Sequence, residues 1–138
     1  MKFYTIGYGG RMPSDFTRIL VESGVQTVAD VRLYPERASM GSYVRAKTQG
    51  KGIQGLLERS GIGYASLPEL GNPFLKDLDW TTKYTELIAK EGDLRIKGLA
   101  LLPEPFCLLC AEKKVVECHR LQIAEFLVSK GHELLGHL

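Results

Sequence analysis

The opening strand–helix–strand pattern limits the fold more than any other part of the chain. "KFYTIGY" (2–8) is rich in β-formers and stops at Gly9-Gly10. "PSDFTRILVESG" then sets Phe16, Ile19 and Leu20 on one helical face, with Ser14 or Asp15 placed to cap its start and Gly24 to end it. "TVADVRL" (27–33) reads as a second strand. Two strands joined through a helix over about thirty residues form a βαβ unit, which requires parallel strands and a crossover.

The alternation continues. "IGYASL" (62–67) is a third strand, and "TKYTELIAKE" (82–91) a helix ended by Gly92. Asp93 then caps a further short helix running to Leu102. "PFCLLCAE" (105–112) reads as a buried strand. A helix from Cys118 turns Leu121, Ile123, Ala124, Phe126, Leu127 and Val128 inward and ends at Gly131, and "ELLGHL" adds a last strand. The expected fold is a single α/β domain over 1–138: three layers, a mostly parallel sheet, and helices on both faces. A length of 138 residues suits one core and is too short for two. The net charge of +2 is too small to point to nucleic acid by itself. No basic leader precedes an apolar segment, and no apolar run is long enough to span a bilayer. The expectation is a cytoplasmic protein without a membrane partner, whose three cysteines are free thiols or ligands rather than disulfide partners.

Open parallel sheets bind ligands at the carboxyl ends of their strands. Here those ends are Gly7-Tyr8-Gly9-Gly10, Asp30-Val31-Arg32, Leu67-Pro68-Glu69-Leu70-Gly71-Asn72 and Cys110-Ala111-Glu112. Asp30 and Arg32 share one face of a strand, as either a ligand clamp or a structural pair. Cys107 and Cys110 form a C-x-x-C, but thiols three apart on a strand face opposite ways, so Cys107 reads as core. Cys118 opens a helix beside His119, Arg120, Lys113 and Lys114, which favours a thiolate. The bland alternative packs it against Cys110. A zinc site from Cys110, Cys118 and His119 lacks a fourth ligand unless His137 or Glu112 supplies it. "GKGIQG" (50–55) matches G-x-G-x-x-G but follows polar sequence, so no dinucleotide is implied. From Arg32 to Lys51 five basic residues (Arg32, Arg37, Arg45, Lys47, Lys51) face one acid, Glu36. With Tyr34 and Tyr43 this segment reads as a mobile loop able to embrace phosphate or a nucleotide strand, or as a solvated one. His132 and His137 read as surface or capping residues.

In order, "TIGYGGR", "VADVRLYP", "GIGYASLPELG", "LLCAEK", "CHRLQIAEFL" and "GHELLGHL" resemble the domain of unknown function (DUF) 488 family of small prokaryotic proteins. The resemblance covers nearly the whole chain and implies a compact α/β domain. It marks Gly7, Asp30, Arg32, Leu70, Gly71, Cys110, Glu112, Cys118, His119 and Arg120 as motif positions and supplies no established activity. Two segments depart from the pattern: the basic, glycine-rich stretch after Pro35, and Asn72 in the turn after Gly71. Joined with the strand-end argument, it leads to an enzyme acting on a phosphate-bearing nucleotide or nucleic-acid substrate. Glu112, Cys118, His119, Asp30 and Cys110 are its candidate catalytic residues, with Glu112 or Cys118 as nucleophile or base. Gly7, Tyr8, Arg32, Gly71, Lys113 and Arg120 are the candidate substrate contacts, and no cofactor is expected. The competing readings are a non-catalytic nucleotide or nucleic-acid binding module and a structural metal-binding domain.

Overall fold

"FCLLC" is apolar at every position, a composition that suits a strand covered on both faces. In the computed structural model, which describes residues 1–138, this segment is the central strand. The sheet contains β1 (Lys2–Gly7), β2 (Thr27–Asp30), β3 (Gly63–Ser66), β4 (Phe106–Cys110) and β5 (Glu133–His137). Its order is β3-β2-β4-β1-β5, with every neighbouring pair parallel. The expected α/β architecture is therefore present. The first two strands are parallel but not adjacent, because β4 inserts between them and pairs with both.

Period-two alternation divides the interior. Phe3, Ala29, Val31, Phe106, Leu108 and Cys110 face one way and join α3 (Trp80–Arg95) and α4 (Arg120–Ser129) in one core. Ile6, Val28, Cys107 and Leu109 face the other way, toward α1 (Pro13–Glu22) and α2 (Gly52–Glu58). Cys107 and Cys110 thus lie on opposite faces, and Cys107 is a fully buried core thiol.

Several boundaries differ from the sequence reading. Helix α1 has Met12 at its cap with no side-chain bond, and Pro13 opens its first turn, where a missing N–H costs nothing. Helix α3 runs through Gly92 to Arg95. A Cβ at Gly92 would enter the Phe126 ring, so this glycine lets α4 approach rather than stopping α3. Helix α4 begins at Arg120 instead of Cys118, with His119 at its cap. Val128 is exposed and Leu121 half-buried, whereas the polar Arg120 and Gln122 are buried, because the first turn of α4 tucks under the strand ends.

The basic 32–51 segment is pinned rather than loose. Arg45 N donates to Pro35 O at 2.7 Å, Ile53 N to Val44 O at 2.9 Å, and the Gln54 amide brackets both backbone groups of Ala46. Gly52, at φ 58°, starts α2 against the Val44 carbonyl, a place a side chain could not occupy. No helix is long and apolar enough to cross a membrane.

Candidate functional site

The strand ends converge on a cavity of about 200 Å³. Tyr8 follows β1, Arg32 and Leu33 follow β2, Asn72 comes from the loop after β3, and Cys110 and Glu112 come from the end of β4. His119 closes it from the cap of α4. A smaller space of about 80 Å³ adjoins it, bounded by Asn72, Trp80, Glu112, Glu117, Cys118 and His119. On the outer side an open cavity of about 390 Å³ shares Tyr34, Arg37 and Asn72 with the first.

Asp30 and Arg32 form a buried, two-pronged ion pair: Arg32 Nε donates to Asp30 Oδ1 at 2.9 Å and Nη2 to Oδ2 at 2.7 Å. Tyr64 donates its hydroxyl to the same carboxylate, and Arg32 Nη1 donates to Tyr43 O at 2.7 Å. Burial opposes the charge on Arg32, but its bonds to Asp30 prevail and hold the guanidinium above its ordinary value. Burial, reinforced by the Asp30 charge, raises the Tyr64 phenol. Asp30 is fully buried and absent from the cavity lining, and it holds Arg32 in place there. Arg32 lines the cavity, its guanidinium 5.3 Å from the centre of the Tyr8 ring. Of the pair, only Arg32 shares the cavity with Cys110. Asp30 is in register with Leu109, and both lie on the face opposite Cys110.

Cys110 and Cys118 are joined as a disulfide. This corrects the expectation of free thiols: the loop from β4 to α4 returns Cys118 to the strand end, and both residues are 2% exposed. Cys110 Sγ also lies 3.3 Å from Glu112 Oε2. His119 is buried with Nε2 2.9 Å from Val31 O. Since a carbonyl only accepts, Nε2 carries the proton, and the bare Nδ1 faces Cys118 Sγ at 3.7 Å. Burial pulls the imidazole down to about 4, so it is neutral near pH 7.

Arg120, expected on a substrate anion, is instead 1% exposed. Its guanidinium donates to Glu112 O at 2.6 Å, Lys113 O at 3.1 Å, Cys110 Sγ at 3.1 Å and Thr5 Oγ1 at 3.4 Å. Its role is to tie the β4 end to β1. Gly7 and Gly71 are close-packing positions. A Cβ at Gly7 would collide with Glu112 O, and one at Gly71 would lie 2.6 Å from Leu33 Cα. Lys113 offers its backbone carbonyl to Arg120, and its side chain is outside the cavity. His137 and His132 do have partners, Thr5 Oγ1 and the Met1 nitrogen, each at 2.7 Å.

Of the proposed residues, Tyr8, Arg32, Cys110, Glu112 and His119 share the cavity, and Cys118 reaches the adjoining one. The sequence names Asn72 only at a strand end and Arg37 and Tyr34 only in the basic segment, and it does not single out Tyr64 as the partner of Asp30. Arg37 stacks 4.3 Å from the centre of the Tyr34 ring at the cavity mouth. A pair of one cation and one aromatic three apart was the available signal.

A family model described as "Domain of unknown function DUF488" matches residues 13–127. The chain belongs to the DUF488 family. The matched span of this DUF488 protein contains every cavity residue except Tyr8. No curated protein and no solved structure matches the chain.

Proposed function

We propose that this DUF488 protein is a small enzyme that binds the phosphate of a nucleotide-like substrate at the strand ends and uses Glu112 as its acid–base group. One observation carries the reading: a single cavity joins two arginines, Arg32 and Arg37, two tyrosine rings, Tyr8 and Tyr34, and the half-buried Glu112. Arginines suit phosphate oxygens, and the rings offer stacking faces to a base. The inner cavity of about 200 Å³ is smaller than the roughly 300–1,000 Å³ of most ligand sites. The inner space and its open neighbour of about 390 Å³ together suit a mononucleotide.

Glu112 rather than Cys118 meets the substrate in this reading, because Cys118 is buried and does not line the larger cavity. The Glu112 carboxylate takes a proton from the attacking group or returns one to the leaving group. The same reading places the protein in the cytoplasm. A second reading draws on the outer groove of about 600 Å³ lined by Arg45, Lys47 and Gln49, which suits a non-catalytic nucleic-acid contact.

Calorimetric titration with mononucleotides and pyrophosphate tests the proposal. Arg37→Ala should weaken binding at least tenfold. Glu112→Gln should bind within about threefold of the parent and abolish turnover of any compound the parent converts. Failure of every compound to bind, or an Arg37→Ala variant that binds normally, refutes the pocket assignment. Binding without turnover, lost in Arg45→Ala and Lys47→Ala instead, identifies the non-catalytic module.

A further inference from the structure

We infer that the reduced protein holds a zinc-class transition-metal ion through Cys110 Sγ, Cys118 Sγ and His119 Nδ1, with a fourth position open to the cavity beside Glu112. The site goes beyond the phosphate-binding reading and does not depend on it, since metal uptake is read without substrate.

Four observations converge. The three ligand atoms lie within 4.8 Å of one another, and all three residues are buried. The His119 ring is already oriented for coordination: Nε2 is committed to Val31 O, which leaves the Nδ1 lone pair toward the sulfurs. A second partner that fixes the tautomer is the usual support of a metal-bound histidine. The Nδ1···Sγ distance of 3.7 Å matches the edge of about 3.6 Å expected for a tetrahedral ion with Zn–N about 2.05 Å and Zn–S about 2.3 Å. Finally, the Cα atoms of Cys110 and Cys118 stand 7.3 Å apart. Disulfides usually span about 4.4–6.8 Å between Cα atoms. Two thiolates on one zinc lie about 3.8 Å apart, so an ion between them calls for the wider backbone spacing.

The surroundings support two thiolates. Arg120 donates to Cys110 Sγ from its guanidinium at 3.1 Å and to Cys118 Sγ from its backbone N at 3.4 Å. Two thiolates and a neutral imidazole select a soft or borderline ion over magnesium or calcium. Three protein ligands leave one position vacant, the pattern of catalytic rather than structural zinc. Glu112 and His119 border both cavities, so that position is reachable. Loading from the disulfide form needs a reductant. A trialkyl phosphine and water cleave the S–S bond, giving two thiols and the phosphine oxide. The divalent ion then displaces one proton from each thiol to solvent.

The test uses full-length protein, reduced with a trialkyl phosphine, freed of it under inert gas, and titrated with Co²⁺. The expected result is one Co²⁺ per chain with an intense thiolate-to-cobalt charge-transfer band, lost on adding Zn²⁺. Cys110→Ser and Cys118→Ser should each weaken binding at least a hundredfold, while Cys107→Ser stays within about threefold. Because the serine variants risk misfolding, alkylation of the parent provides a second readout: Zn²⁺ should slow labelling of Cys110 and Cys118 at least tenfold. Absence of the band, its survival in both serine variants, or labelling indifferent to Zn²⁺ overturns the site.

Discussion

Replacing Asp30 with Asn would strip the Arg32 guanidinium, 6% exposed, of the charge that balances it. Removing one partner of a buried pair costs about 3–5 kcal/mol, because the other charge stays out of water. Urea denaturation of Asp30→Asn should show a loss of that size, and a loss below about 1 kcal/mol would mean that Arg32 finds water instead. His119 supplies a pH-dependent term. Its imidazole titrates near 4 in the fold against an ordinary 6.5. Between these values the unfolded chain binds the proton and the native one does not. The stability is complete above pH 6.5 and declines as pH falls toward 4, by roughly 3 kcal/mol. Urea midpoints of the metal-free protein across that window should show the decline, and His119→Gln should flatten it. These residues also show why the site was only partly readable. Asp30, Arg32 and Arg120 announce charge, but sequence does not say whether a charge meets a ligand or a carbonyl. Arg120 reaches the backbone of Glu112 and Lys113, a destination set by where the loop after β4 returns.

At the level of elements, strand and helix identities were legible wherever apolar periodicity was clean. The patterns of β1, α1, β2 and β4 needed no tertiary information. The end of α3 and the start of α4 did, because Gly92 serves a helix–helix contact and the residues before Arg120 form a short 3-10 turn, Val115–Glu117. A comparison of glycines separates the two kinds of close approach. In Gly7→Ala the new methyl meets the Glu112 carbonyl, which β4 and Arg120 hold in place. In Gly92→Ala it meets the half-buried Phe126 ring, which can turn aside. Overpacking typically costs about 1–3 kcal/mol. Thermal unfolding should put Gly7→Ala at or beyond the top of that range and Gly92→Ala toward the bottom. The reverse order would mean that the strand end yields more easily than the helix pair.

Across the whole molecule, the sheet separates two cores. Leu20 on α1 lies in one and Leu127 on α4 in the other, both fully buried. Each change to Ala should cost about 2–5 kcal/mol. Sites without shared partners combine to within about 0.5 kcal/mol. Denaturation of the double variant should return the sum, and a coupling above about 1 kcal/mol would show that the sheet transmits strain between its faces. The central place of β4 also dictates a schedule. Strand β1 pairs only with β4 and β5, so its partners begin at Phe106 and Glu133. A ribosome must deliver most of the chain before β1 and β2 acquire the strand that joins them. Until then the nascent polypeptide exposes β2 paired only with β3, and a β1 with no partner at all, and the long-range pairing that completes the sheet is intrinsically slow.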